Sequence, residues 1–169
     1  MAAAALIALI GYAATQELTP ESPHTAQVGE TVASGPYPVV RVVDGDTIVV
    51  DVDGVEQTVR LIGIDTPETV RPNTPVECYG PEASAHTHEL LDGRTVTLTA
   101  DPTQDDTDRY GRWLRYVTDS QTGTDVGATL LEGGYAHEYT YDTQYVRQGE
   151  YMQLERDATA TALGLWGAC

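Results

Sequence analysis

The sequence contains no lysine and no phenylalanine, and all nine of its basic residues are arginines. Its 26 acidic residues outnumber them and give a formal net charge of −17. At molar ionic strength the Debye length falls to about 3 Å, so self-repulsion on such a surface is largely screened. An acidic, lysine-free chain rich in Asp, Thr and Gly is therefore typical of adaptation to high salt. An acidic habitat and an ordinary acidic secreted protein are the alternatives.

Long apolar runs are also scarce. The longest, within residues 1–14, has about 13 residues, whereas a helix needs ~20 to cross a bilayer. It resembles the hydrophobic part of a secretory signal, and small residues in "YAATQ" suit a cleavage point. The positive leader of such signals is missing, which leaves a truncated start and an uncleaved anchor in contact with the membrane as alternatives. We therefore expect a secreted or cell-surface-tethered protein.

The polar, proline-bearing and aperiodic composition of residues 15–38 predicts a flexible linker. Residues 39–169 then form a single folded domain, which suits a chain of 169 residues.

Cysteine is rare, with only Cys78 and Cys169. An even number in a chain expected to be exported favours a disulfide between them. Such a bond would close a loop of roughly 90 residues and stabilise the fold by about 4–5 kcal/mol at most in the loop-entropy model. Two free thiols are the alternative.

From Val39 onward the sequence is rich in β-branched residues and interrupted by DGD and DG turn signals. Alternation predicts three strands, at about Val39–Val43, Thr47–Val52 and Glu56–Ile64. A helix between Pro81 and Gly93 follows, then strands in "RTVTLTAD" and "RWLRYVTDS", and helices in "DVGATLLEGGYA" and "QYVRQGEYMQLERDATATALGLW". This order predicts an α+β, mainly β fold: a five-stranded OB-type barrel with three helices.

Two polar segments follow strands. "VDGDT", with Asp46, is by itself more typical of a hairpin turn than of a ligand set. "RLIGIDTPET" ends a hydrophobic strand in Asp65 and Glu68, where a cap on a helical turn is one reading and a metal site another. Arg60 lies five residues before Asp65, so a regular strand would point the two side chains to opposite faces. They can share a site only if the strand bends near Gly63.

A third segment, "DRYGRWLRY", holds three of the nine arginines together with two tyrosines and a tryptophan. The arginines could pair with neighbouring acids in an ordinary strand. In so acidic a chain, arginines gathered with aromatic rings are natural contacts for phosphates and bases.

The motifs "VDGDT", "RLIGIDTPET", "YGPEAS" and "DRYGR", in this order and at these separations, closely resemble those of the staphylococcal nuclease (thermonuclease) family. The resemblance extends from about Val39 to Trp166. It implies the family's five-stranded OB-type barrel with three helices, in agreement with the predicted elements.

The resemblance also implies a calcium site and a catalytic acid. The Ca²⁺ ligands would be the carboxylates of Asp46 and Asp65 and the backbone carbonyl of Thr66. The family's catalytic glutamate, which orients or deprotonates the attacking water, corresponds to Glu68. These are the oxygen ligands that a hard cation prefers.

The remaining implied site residues contact the substrate. Arg60 and Arg112 correspond to the family's phosphate-binding arginines, and paired hydrogen bonds to phosphate are a task that lysine cannot imitate. Tyr110 corresponds to a tyrosine beside the bound nucleotide, and Tyr139 and Tyr141 are further candidates for base stacking.

The implied activity is Ca²⁺-dependent hydrolysis of DNA and RNA at the P–O5′ bond, leaving 3′-phosphate ends. We expect a monomer, and the sequence implies no protein partner. A non-catalytic OB-fold nucleic-acid binding module is the alternative, although it would not need Glu68. A purely structural calcium site would leave Arg60 and Arg112 without a task. Because the chain lacks lysine, its attraction for nucleic acid should be weak at low salt, and binding should depend only shallowly on salt.

Overall fold

The computed structural model describes residues 33–69 and 75–169, so the predicted signal-like segment and most of the predicted linker lie outside the described residues. The elements within these ranges are β1 (Ala33–Val42), β2 (Thr47–Val52), β3 (Val55–Leu61), β4 (Ile64–Asp65), α1 (Gly80–Leu91), β5 (Thr95–Thr99), β6 (Trp113–Asp119), α2 (Val126–Glu132), β7 (His137–Glu138), α3 (Gln148–Ala160) and α4 (Leu165–Ala168).

Five of the strands close into a barrel in the order β1-β2-β3-β6-β5. Every neighbouring pair is antiparallel except β3 and β6, which run parallel. Antiparallel strands can be joined by short turns. The parallel strands β3 and β6 need a long connection, and this connection carries α1. The predicted five-stranded barrel with three helices is confirmed, and α4 adds only a four-residue helical turn.

The first strand is longer than predicted. It begins at Ala33 rather than Val39, so residues 33–38 of the predicted linker belong to the barrel. They pair with β5, where Ala33 lies opposite Thr99 and Tyr37 opposite Val96. The sequence does not predict this part of the strand, because it contains Gly35 and two prolines, and glycine and proline usually interrupt a strand.

The third predicted strand is two strands. β3 ends at Leu61, and Gly63 has a φ of 81°, in the left-handed region that favours glycine. The chain therefore turns out of the barrel, and β4 pairs with β7 in a separate two-stranded sheet. The predicted bend near Gly63 is confirmed.

The last predicted helix is also divided. α3 ends at Ala160, and positive φ angles at Ala162 and Gly164 precede α4. A Cβ on Gly164 would lie 2.2 Å from the carbonyl oxygen of Gly134. The helix is therefore interrupted where its backbone approaches that of Gly134. The helical periodicity of the sequence carries no sign of this contact.

The core fills the barrel and extends beneath α2 and α3. Its centre consists of residues with almost no exposed surface, among them Ile48, Val50, Val59, Val96, Leu98, Leu130 and Leu131. The predicted disulfide between Cys78 and Cys169 is present, with Cα atoms 6.1 Å apart. Within the described ranges, no helix is long and apolar enough to cross a membrane.

Three tyrosines, Tyr116, Tyr145 and Tyr151, are buried where α3 meets the barrel. Tyr151 packs edge-on against both other rings, at centroid distances of 6.2 and 5.9 Å. Burial raises the pKa of all three phenols above the ordinary value near 10, and acidic neighbours raise them further: Asp101 beside Tyr116, Glu138 beside Tyr145 and Asp125 beside Tyr151. The folded protein therefore keeps these phenols protonated after an unfolded chain would lose the protons.

This pKa difference predicts alkaline unfolding. Stability is intact below pH 10 and falls as the pH rises above it, because the unfolded chain ionises first; each phenol contributes about 1.4 kcal/mol per pH unit. Denaturant titrations at successive pH values above 10 should show this slope. Tyr151→Phe should reduce it, whereas the exposed Tyr141 offers a control, since Tyr141→Phe should leave it unchanged. Equal slopes in all three proteins would contradict the prediction.

Candidate active site

An open cleft of about 210 Å³ lies where the ends of several elements meet. The lining comes from the turn before β2, the end of β3, the segment around and after β4, the segment before α1 and the segment before β6. The lining residues are Asp44, Asp46, Arg60, Asp65, Thr66, Pro67, Glu68, Glu77 and Arg112. The structure thus brings together every predicted metal ligand and catalytic residue, although their roles stay predictions.

Asp46 is the most buried carboxylate of the cleft, with 5% of its surface exposed. Its backbone carbonyl accepts a hydrogen bond from Leu61 N at 2.9 Å, which joins the turn before β2 to the end of β3. Its Oδ2 accepts hydrogen bonds from the backbone N (2.9 Å) and Oγ1 (3.1 Å) of Thr66. Asp46 and Thr66 are therefore held in direct contact, although 20 residues separate them.

Gly45 explains why the DGD motif is more than a hairpin turn. A Cβ at this position would lie 2.6 Å from Thr66 Oγ1, so only glycine allows the turn to approach the Thr66 segment so closely. On its other side, the Gly45 carbonyl accepts a hydrogen bond of 2.8 Å from the buried hydroxyl of Thr87 in α1. The turn is therefore packed between α1 on one side and the segment of Thr66, a predicted calcium ligand, on the other.

Arg60 lies between two carboxylates. Its guanidinium forms ion pairs with Asp46 and, from Nη2 to Oδ1 at 2.7 Å, with Asp65. Only 13% of its side chain is exposed. Burial lowers its pKa from the ordinary arginine value, and the charge of Arg112 lowers it further, against the opposing effect of Asp65. The turn at Gly63 is what brings Asp65 back to Arg60.

Glu68 is held through its backbone and its side chain. Its Oε1 accepts a hydrogen bond from Thr69 N at 3.0 Å, and its own backbone N donates to Oε2 of Glu77 at 2.9 Å. The backbone N of Glu77 donates in return to the Glu68 carbonyl, also at 2.9 Å. Sequence reasoning missed Glu77, because nothing in "PVECYG" distinguishes it from a surface acid.

Arg112 is fixed by Asp108. The backbone N and Nε of Arg112 donate to the two carboxylate oxygens of Asp108, at 3.0 and 2.7 Å. These hydrogen bonds lower the pKa of Asp108, although burial alone would raise it. The guanidinium lies 5.4 Å from the ring centroid of Tyr110. The arginine is therefore oriented by an acid outside the cleft.

The three predicted stacking tyrosines are exposed and do not line the cleft. Tyr110 is 68% exposed, Tyr139 44% and Tyr141 74%. The rings of Tyr139 and Tyr141 lie 6.4 Å apart. Tyr110 lies beside the cleft, because its ring packs near the guanidinium of Arg112. Their contact with a base stays a prediction.

Asp44, the first acid of the DGD motif, is a further residue that the predictions left out. It lines the cleft, and burial raises its pKa above the ordinary value; the charge of Glu68 adds to this, while Thr47 and Arg60 oppose it. The motif itself was the available signal, since it carries two acids and only Asp46 was given a role.

The fold and the cleft together define a class: a closed, mixed five-stranded barrel of OB type with carboxylates and guanidiniums facing each other in one polar cleft. A family profile described as staphylococcal nuclease homologue matches residues 58–168. The chain therefore belongs to the staphylococcal nuclease family.

Curated relatives agree. The chain is 43% identical to the Thermonuclease of Staphylococcus hyicus over 131 residues, which cover 77% of this chain and 75% of that protein. It is 41% identical to the Thermonuclease of Staphylococcus intermedius, with the same coverage. Endonuclease YncB of Bacillus subtilis is 40% identical over 75% of this chain and 59% of its own length. The prediction of a nuclease, a hydrolase, is confirmed.

Proposed function

We propose that the protein is a Ca²⁺-dependent nuclease that cleaves the P–O5′ bond of DNA and RNA and leaves 3′-phosphate ends. The observation that supports it most is the meeting of Asp46, Arg60, Asp65, Glu68 and Arg112 in one cleft. Carboxylates and guanidiniums in one open site suit a substrate that carries phosphate and a cation that neutralises it.

The donor set fits calcium. Among the described residues that line the cleft, five carry carboxylates and only two carry guanidiniums. No group of three His, Cys, Asp or Glu side chains in the described ranges is arranged to hold a metal ion by side chains alone. The proposed site needs only two, Asp46 and Asp65, because the Thr66 carbonyl and solvent supply further oxygens. Bound there, Ca²⁺ would polarise the phosphate and neutralise the charge that develops on it.

The protein's own residues supply the rest of the reaction. Glu68 accepts a proton from water as the water oxygen bonds to phosphorus, and the P–O5′ bond breaks in line, with the electron pair leaving on O5′. Arg60 and Arg112 donate hydrogen bonds to the equatorial phosphate oxygens. Both guanidiniums are oriented in advance, by Asp65 and by Asp108, so little ordering is left for the reaction.

Affinity for the substrate should come from stacking more than from long-range charge. The net charge of −17 opposes approach to a polyanion at low salt, and molar salt screens this repulsion. Tyr110, Tyr139 and Tyr141 present exposed rings, each of which could contribute about 1–3 kcal/mol by stacking on a base. We place the enzyme outside the cell or tethered to its surface, at high salt, and acting as a monomer.

The direct test is cleavage of single-stranded DNA in molar NaCl with Ca²⁺ or with a chelator. We expect cutting only with Ca²⁺, and products whose ends change mobility after phosphatase treatment. Asp65→Asn should raise the Ca²⁺ concentration needed for half-maximal activity at least about tenfold, since it removes one of two charged ligands. Asp53→Asn, in the β2–β3 turn, is the matched control. Binding without cutting would identify a non-catalytic module, and equal cutting with chelator would exclude calcium dependence.

A further inference from the structure

Hydrogen bonds join Glu68, the predicted catalytic acid, to the segment before α1. Glu68 and Glu77 form two reciprocal hydrogen bonds. The backbone N of Glu77 donates to the backbone carbonyl of Glu68, and the backbone N of Glu68 donates to the side-chain carboxylate of Glu77. The Glu77 carboxylate therefore takes up the backbone N–H of Glu68 and fixes the peptide from which the Glu68 side chain extends.

The same two segments also pack closely. A Cβ on Gly80, the first residue of α1, would lie 2.8 Å from Thr69 Cγ2, 3.0 Å from the carbonyl oxygen of Pro67 and 3.2 Å from that of Glu68. The chain around Glu68 thus lies directly on the chain that runs from Glu77 into the helix. A shift in one segment must move the other, because such close contacts leave no room for independent motion.

The segment that carries Glu77 is anchored from a distant part of the chain. Cys78, the next residue, is bonded to Cys169, 91 positions later. Cys169 follows α4, whose Leu165 is buried and whose backbone N donates to the carbonyl of Gly134 at 2.9 Å. The disulfide therefore attaches the exposed Glu77 segment to a part of the chain that is packed against the turn after α2.

From these contacts we propose that Glu77 is a positioning residue for Glu68, and that the Cys78–Cys169 disulfide holds Glu77 in place. The proposal rests on the proposed function, in that Glu68 must act on the attacking water. Misplacing a catalytic group by about 1 Å can cost on the order of 100-fold in rate. The two hydrogen bonds with Glu77 and the disulfide form a clamp that prevents Glu68 from moving by such a distance.

The first arm of the test compares Glu77→Ala with Glu77→Gln. Alanine removes the acceptor, and we expect kcat to fall about 10- to 100-fold with KM within about twofold of wild type. Glutamine keeps an acceptor oxygen, and its kcat should stay within about threefold. Glu82→Ala, an exposed acid in the first turn of α1, is the matched control and should change neither constant. Loss of activity in the glutamine variant as large as in the alanine variant would overturn the acceptor role.

A readout independent of activity is the exchange of the Glu68 amide proton with solvent. It should be faster by at least about tenfold in Glu77→Ala and unchanged in Glu77→Gln and Glu82→Ala. If the wild-type enzyme does not cut nucleic acid, the proposed function fails, whereas the exchange rates still report on the clamp. Unchanged exchange in Glu77→Ala, or faster exchange with unaltered kcat, would refute the positioning role.

The second arm tests the disulfide with Cys78→Ser/Cys169→Ser. Below its own melting temperature this variant should lose about threefold to tenfold in kcat, and adding it to Glu77→Ala should lower kcat no further, because both changes release the same clamp. Losses that multiply would show that the disulfide acts elsewhere. A lower melting temperature with normal kcat would show that the disulfide stabilises the fold but does not hold Glu77.

Discussion

Glu68→Gln is expected to lower kcat for DNA cleavage by about 10²- to 10⁴-fold, the usual contribution of a general base. The amide has nearly the same shape, and its oxygen can still accept the hydrogen bond that Thr69 N donates. What it loses is the ability to take a proton from water. The fall should therefore appear in kcat and in kcat/KM alike, since the interaction is made only in the transition state. Single-turnover cleavage in molar salt with saturating Ca²⁺ measures it.

Two comparisons make this result interpretable. Glu132→Gln, at the exposed end of α2, makes the same chemical change outside the cleft and should leave kcat unaltered. The melting temperature of Glu68→Gln should match wild type within a few degrees, since the backbone contacts with Glu77 do not involve the altered group. Retention of most activity in Glu68→Gln would mean that another group activates the water.

Arg112→Lys is the second large effect, with an expected loss of about 10²- to 10³-fold in kcat, as for removal of one oriented donor to a developing oxyanion. Lysine keeps the charge but has neither the planar fork nor an Nε to donate to Asp108, and that contact of 2.7 Å orients the guanidinium. Because the donor matters most when charge accumulates on phosphate, KM should change much less than kcat.

Arg156→Lys provides the control for this substitution. Arg156 lies exposed on α3 and its guanidinium bonds Gln153 within the same helix, so the exchange should leave kcat and KM unchanged. A higher KM with normal kcat in Arg112→Lys would assign Arg112 to substrate binding and leave Arg60 as the arginine that stabilises the transition state.

Local signals predicted much of the fold. β2 has the predicted bounds, Thr47 to Val52, because DGD and DG turns flank a β-branched run. The helix between Pro81 and Gly93 was equally clear, since proline suits a first turn and glycine the left-handed residue after the last. The predictions were wrong at β1 and at α3–α4, where contacts with distant backbone outweigh local preference.

The site divides in the same way. The motifs identified which residue types would carry the chemistry, and Asp46, Arg60 and Asp65 do meet. Their meeting depends on the positive φ of Gly63, which redirects the chain, and on the fit of Gly45 against Thr66, which is a tertiary contact. For Asp44 the DGD motif offers a signal, but its burial becomes evident only in the fold. Glu77 has no signal in the sequence, because its importance comes from a hydrogen bond to Glu68, nine residues away.

The sequence by itself determined the family, the order of the barrel strands and helices along the chain, and the chemical types at the site, since these follow from local pattern and motif spacing. Only the tertiary structure decided that one strand becomes two at Gly63, that Arg60 joins Asp46 and Asp65, and that Glu77 and a disulfide support Glu68. The physical reason is range. Turn and strand preferences act within a few residues, whereas hydrogen bonds, ion pairs and close packing act between residues that are neighbours only after folding.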